Sequence, residues 1–181
     1  MVTTSDEGVQ QLLCNLNNEG GLQENLDILP LLTEESYLKA YPEDRKARAF
    51  LEFCREGDLH AIVDMLQPDS DGEEDGEDQN TEFLWYQDPI GDMQSGLHAA
   101  VVGGSREVAW LLLLLASNLD LLQFPPEVFQ EASALGIMRG DMTGKTDIRS
   151  LRDSQGRTAE EVAQELGGVW HGWAGTGRLA V

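Results

Sequence analysis

The chain has 181 residues, with 12 lysines plus arginines against 33 aspartates plus glutamates, a formal net charge of −21. So few cations exclude a nucleic-acid binder, which needs a positive face to release phosphate counterions. They also disfavour docking on an anionic membrane, and they favour basic proteins or peptides as partners.

A chain of this length predicts one domain with tails, able to bury roughly two-thirds of its unfolded surface. Cys14 and Cys54, 40 residues apart, make neither a disulfide framework nor a metal-ligand pattern. The start, Met1-Val2-Thr3-Thr4-Ser5-Asp6-Glu7, lacks the cationic and apolar regions of a secretory signal. The longest apolar run, Val108 to Ala116, is nine residues, whereas a bilayer span needs about twenty. The expectation is a soluble protein of a reducing compartment, cytoplasmic or nuclear, of unspecified oligomeric state.

Residues 1–30 read as a polar, loosely ordered arm. Val9, Leu12, Leu13 and Leu16 fit one face of a short helix that stops near Gly20-Gly21. A docked helix and a mobile tail are the two alternatives.

Residues 31–68 read as a divergent first repeat. Two short apolar helices flank Gly57-Asp58-Leu59; Phe50, Leu51 and Cys54 face one way in the first, Ile62, Met65 and Leu66 in the second. Residues 69–82 read as a disordered acidic loop, because seven of the ten residues from Asp69 to Asp78 are acidic and none is apolar. It is a solvated loop or a landing strip for an Arg/Lys-rich partner.

Residues 83–118 hold the clearest repeat. Ser95-Gly96-Leu97-His98-Ala99-Ala100 runs on to Gly104, Val108 and Leu111-Leu112. This resembles an ankyrin repeat, with Ser95 on the usual threonine, Leu97-His98 on the Leu-His pair and Ala100 on the alanine. Gly104 falls on the interhelix glycine and Leu111-Leu112 near the Leu-Leu pair, while Gly96 replaces the proline. In that slot His98 is expected to tie the helix start to an adjacent turn.

Residues 119–150 form an insertion with one helix. Pro125-Pro126 starts it, Gly136 ends it, and Val128, Phe129, Ala132 and Leu135 give it an apolar stripe. Residues 151–181 read as an ankyrin-like unit and C-terminal cap. Asp153 and Gly156 supply a turn, Thr158 is the N-cap with Glu161 as its capping-box partner, and Val162 and Ala163 open the packed face. Trp170 and Trp173 then cap the stack.

The resemblance implies an all-α ankyrin-repeat solenoid of two to three divergent repeats, with a disordered acidic loop and a helical insertion. The order of Leu84-Trp85-Tyr86-Gln87-Asp88, the two repeats and Gly175-Thr176-Gly177-Arg178-Leu179 is also similar to the N-terminal ankyrin part of fungal arginine δ-N-methyltransferases. In those enzymes a domain that uses S-adenosylmethionine follows, and this chain stops where it would begin.

Motifs for chemistry are weak. Gly140 to Thr146 has one residue too few for a phosphate loop and no strand before it. Gly172 to Gly177 lacks the strand and long helix of a dinucleotide site. His60, His98 and His171 have no partners at zinc spacing. No catalytic, cofactor or metal residue is assigned.

The function expected is a non-catalytic module that binds another protein, a basic one, through its turn tips. The candidate contacts are Asp88, Asp92, Met93, Gln94, Asp153, Gln155 and Arg157. The alternative is the recruiting or regulatory part of an arginine methyltransferase whose catalytic domain lies elsewhere.

Overall fold

The structure, a computed structural model, describes residues 2–4, 10–67 and 79–181. The acidic run from Asp69 to Asp78 lies outside these residues, as does Val9 of the expected first helix. The chain divides into two compact units, Met1–Arg45 and Lys46–Val181.

The first unit overturns the all-α ankyrin-solenoid expectation. Strands β1 (Val2–Thr4), β2 (Gln10–Asn18) and β3 (Gly21–Asp27) form an antiparallel sheet in the order β1-β2-β3. The fold is therefore mixed, and the arm expected to be a helix or a mobile tail is largely sheet. The physical reason lies in spacing and turn. Leu12 and Leu16, four apart, satisfy helical spacing, but with Cys14 between them they satisfy a period of two as well. Gly20-Gly21 does not stop a helix; Glu19 and Gly20 span a tight turn between the paired residues Asn18 and Gly21.

A bulge interrupts the β2–β3 register between Cys14↔Leu26 and Leu16↔Gln23. The extra residue on β3 is accommodated by Asn25 at φ 57°, a conformation that asparagine tolerates, and the Asn25 N–H donates to the Asn15 side chain at 2.9 Å. Helix α1 (Leu29–Ala40) follows, with Pro30 in its first turn, and its end is marked by a hydrogen bond from Tyr37 to Asp44.

The second unit is helical. Helices α2 (Asp44–Glu56) and α3 (Leu59–Leu66) follow one another across Gly57-Asp58, and α4 (Gly96–Gly103) packs on α5 (Arg106–Ala116). Helix α6 (Pro126–Ala134) packs on α5, and α7 (Ala159–Leu166) packs on α4. Polar caps set the starts: Asp58 accepts from Ala61 N at 3.0 Å, and Ser105 from Val108 N at 3.3 Å. Gly104 at φ 73° turns α4 into α5, a backbone shape that other residues resist.

The core runs through all these helices. Phe50, Cys54, Ile62, Leu97, Val101, Leu112 and Leu113 are buried, as are Ile148, Trp170 and Leu179. Each large side chain contributes about 1.5–3 kcal/mol through burial. Helix α4 comes so close to the end of α2 that a Cβ on Gly103 would overlap the Arg55 carbonyl. Burial also pushes the Cys54 thiol well above the usual cysteine range, against the smaller opposing effect of Arg55.

A buried ion pair holds the C-terminal tail. Arg149 Nη2 lies 2.7 Å from Asp147 Oδ2, and Arg149 Nη1 donates to the carbonyls of Gly177 at 3.1 Å and Ala180 at 2.8 Å. Burial alone would raise the Asp147 pKa. Hydrogen bonds from Arg149 and from the Asn118 N–H outweigh it and hold the carboxyl below the usual range. Trp170 and Trp173 lie in an edge-to-face pair, and the Trp170 indole donates to the Val101 carbonyl at 2.8 Å.

Candidate protein-binding surface

The expected contact residues lie on two turns, and their side chains divide between inside and outside. Asp88 and Asp153 are buried. Asp88 accepts from Arg48 Nε at 2.9 Å and from its own turn at Ile90 N, 3.1 Å. Asp153 accepts from the backbone of Gln155 and Arg157 at 2.9 Å each, and from Arg157 Nε at 3.0 Å. Desolvation opposes the Asp153 charge, but the Arg157 and Gln155 hydrogen bonds overcome it and keep the carboxyl below the ordinary range.

Gln94 and Arg157 are half-buried, while Asp92, Met93 and Gln155 are exposed. Gln94 receives a hydrogen bond from Arg55 at 3.3 Å. Asp92 and Met93 adopt φ values of 57° and 53°, which turns the Asp92 carbonyl onto the Ser154 N–H at 2.8 Å. Gln87 also bridges the turns, donating to the Met93 carbonyl at 2.9 Å and the Arg152 carbonyl at 2.7 Å. The two turns are therefore laced to each other.

His98 is the buried centre of that lacing. Its Nε2–H donates to the Arg157 carbonyl at 2.9 Å, so Nδ1 is left as the acceptor for the Ser95 hydroxyl at 2.8 Å. Burial drives its pKa below the ordinary value, against the Arg157 carbonyl and the nearby Asp153. The same ring closes a capping box with Ser95, and Thr158 and Glu161 close the matching one on α7. Leu97, Ala100, Leu111, Leu112 and Ala163 are buried around these caps, and Gly156 sits at φ 75° in the second turn.

The surface hollows lie elsewhere. Ser105 caps α5, and Phe124, buried before α6, packs in a tilted pair with Trp110, ring centroids 5.2 Å apart. Between α5 and α6 this leaves a groove of about 250 Å³. Leu111 and Ala132 form its buried floor, and Leu59, Trp110, Val128 and Leu135 its half-buried walls. Glu107, Glu127 and Glu131 are exposed along it. Leu135 also lines a second hollow of about 490 Å³, with Leu66, Leu84, Leu115 and Ile137.

Arg106 is the one cation lining the first groove, and its guanidinium donates to the Val169 carbonyl, with Nε at 2.6 Å. Other arginines of this unit are similarly engaged. Arg139 holds the Ser117 and Leu119 carbonyls beyond the end of α5, Arg152 binds the Gly156 carbonyl, and Arg178 lies 5.5 Å over Trp110 and 5.6 Å over Trp173. These arginines tie the chain to itself, while Lys39, Arg45, Lys46 and Lys145 are exposed, as are many carboxylates.

Sequence reasoning missed Glu107, Glu127, Glu131 and Trp110 as surface-defining residues. The signal within α6 was available: Glu127 and Glu131 stand one helical turn apart beside Val128, Ala132 and Leu135. Among the described residues, no group of three or more His, Cys, Asp or Glu side chains is placed to hold a metal ion, and no helix is long and apolar enough to cross a membrane. Comparison with protein-family models, curated proteins and solved structures finds no match to this chain.

Proposed function

We propose that this protein is a binding module for a basic protein partner. The observation that carries the reading is the inward use of its arginines: Arg48, Arg106, Arg139, Arg149 and Arg178 all engage groups of the same unit. Lys39, Arg45, Lys46 and Lys145 remain exposed, but 33 acidic residues against 12 basic ones leave the chain with a net charge of −21. Such a field steers cationic partners and raises their association rate.

The half-buried apolar walls of the α5–α6 groove add a surface that can be desolvated on contact, which charge alone does not provide. The two laced turns present Asp92 and Gln155 to solvent, but they keep Asp88 and Asp153 for internal hydrogen bonds. The turns therefore serve chiefly to hold the helices, and partner contact centres on helix surfaces.

A pulldown with the purified chain at low and raised salt, read by mass spectrometry, tests the reading. A set of Arg/Lys-rich proteins released by salt is the expected result, because exposed charges are screened beyond about 8 Å at physiological ionic strength. Retention that ignores salt would count against it.

A further inference from the structure

We infer that the α5–α6 groove seats an amphipathic helical segment of the partner, carrying arginines one turn apart beside an apolar stripe. This rests on the basic-partner reading above. Glu127 and Glu131 are both exposed and lie four residues apart on α6, so their carboxylates repeat at about 6 Å along the axis. Two cations at the same helical spacing on a partner match that repeat. Glu107 on α5 faces the same hollow and adds a third negative charge.

The apolar half of the match comes from Trp110, Val128 and Leu135, all half-buried and lining the groove. Leu135 continues the apolar wall into the second hollow, so a stripe of leucines has somewhere to run. Arginine suits the groove better than lysine. Its planar guanidinium pairs with carboxylates through two hydrogen bonds. The Trp110 ring is already engaged by Arg178 at 5.5 Å, so the partner's arginines pair with the carboxylates and its apolar stripe meets the ring edge. Arg106 is the one cation lining the groove and its Nε–H is held by the Val169 carbonyl, so the three glutamates outnumber it.

The probe is a fluorescent peptide of leucine and arginine at helical spacing, titrated with the full chain and read by anisotropy at low salt. Two variants are compared with the natural chain. E127K/E131K reverses the groove charges. E19K/E24K reverses two exposed glutamates of the first unit and changes the net charge equally. We expect E127K/E131K to weaken binding by about tenfold or more, and E19K/E24K by about twofold or less. A peptide with serine in place of leucine is expected to lose most of its affinity.

Equal weakening by both variants would overturn the groove while leaving the basic-partner reading standing. Undiminished binding of the serine peptide would overturn it too, since charge alone would then suffice. No binding of the leucine–arginine peptide to the natural chain would sink the groove and the basic-partner reading together.

Discussion

The two units are held by different forces. In the first, none of residues 11–17 and 19–45 is buried, and Leu22 and Leu31 are 60% and 66% exposed. Strand pairing, the Asn15 and Asp27 side chains and one short helix hold it. In the second, Phe50, Leu112, Leu113, Ile148 and Trp170 are shut away from water around one continuous core. Backbone pairing alone is a weak source of stability, since water offers the same hydrogen bonds to the unfolded chain. Burial has no such competitor. Substitutions should therefore be felt in the second unit and hardly at all in the first.

The largest effect is expected from Trp170→Ala. Trp170 is 2% exposed, and its loss leaves a cavity and removes the donor to the Val101 carbonyl. Removing a buried tryptophan costs about 3–5 kcal/mol. Urea denaturation, followed by the near-ultraviolet signal of the remaining tryptophans, should shift to much lower midpoint. An unchanged midpoint would mean that the C-terminal tail is not part of the core.

Asp147→Asn comes next, at about 3 kcal/mol. Both partners of the Asp147–Arg149 pair are buried, and breaking such a pair leaves a charge without its counterion. Arg149 also holds the Gly177 and Ala180 carbonyls, so the tail should loosen first. Faster amide exchange from Gly177 to Val181, with α2 and α4 still protected, would show this.

A smaller effect separates the units by pH. The folded pKa of His98 lies below the ordinary value of 6.5. The unfolded chain therefore binds a proton that the folded chain refuses. Stability from the neutral ring is complete above about pH 6.5 and is lost as pH falls below it. Thermal melting of the second unit should weaken between pH 7 and pH 5 and flatten in His98→Gln. The Asp147 and Asp153 pKa values are held below the ordinary 3.8, so their contributions fade only at still lower pH.

What could be read in the chain, and what could not, follows the same division. Ser95, Ser105 and Thr158 announce helix starts because a cap is a local bond, complete within three residues. Pro126 and Gly136 bracket α6 for equally local reasons. The first unit was opaque because Leu12 and Leu16 fit both periodicities, and Gly20-Gly21 closes a hairpin as readily as it stops a helix. Asp88 and Asp153 looked like exposed tips. Aspartate in a turn folds back on its own backbone N–H groups, and here Arg48 and Arg157 complete the inward pull. The groove needs α5 and α6 side by side, and only packing brings Glu107 near Glu127.

The smallest effect is the sharpest test of the comparison. Leu22 sits on β3 opposite Asn17, and its side chain is more exposed than buried. Leu22→Ser removes little buried surface and keeps the backbone pairing, so the change in stability should stay within about 0.5 kcal/mol. Amide exchange across β2 and β3 should be fast in the natural chain and only slightly faster in the variant. A loss of 2 kcal/mol or more (about the scale of a buried leucine) would show that the leucine is covered in solution. The first unit would then own a hidden interface, and the contrast between paired backbone and buried side chains would fail at its simplest point.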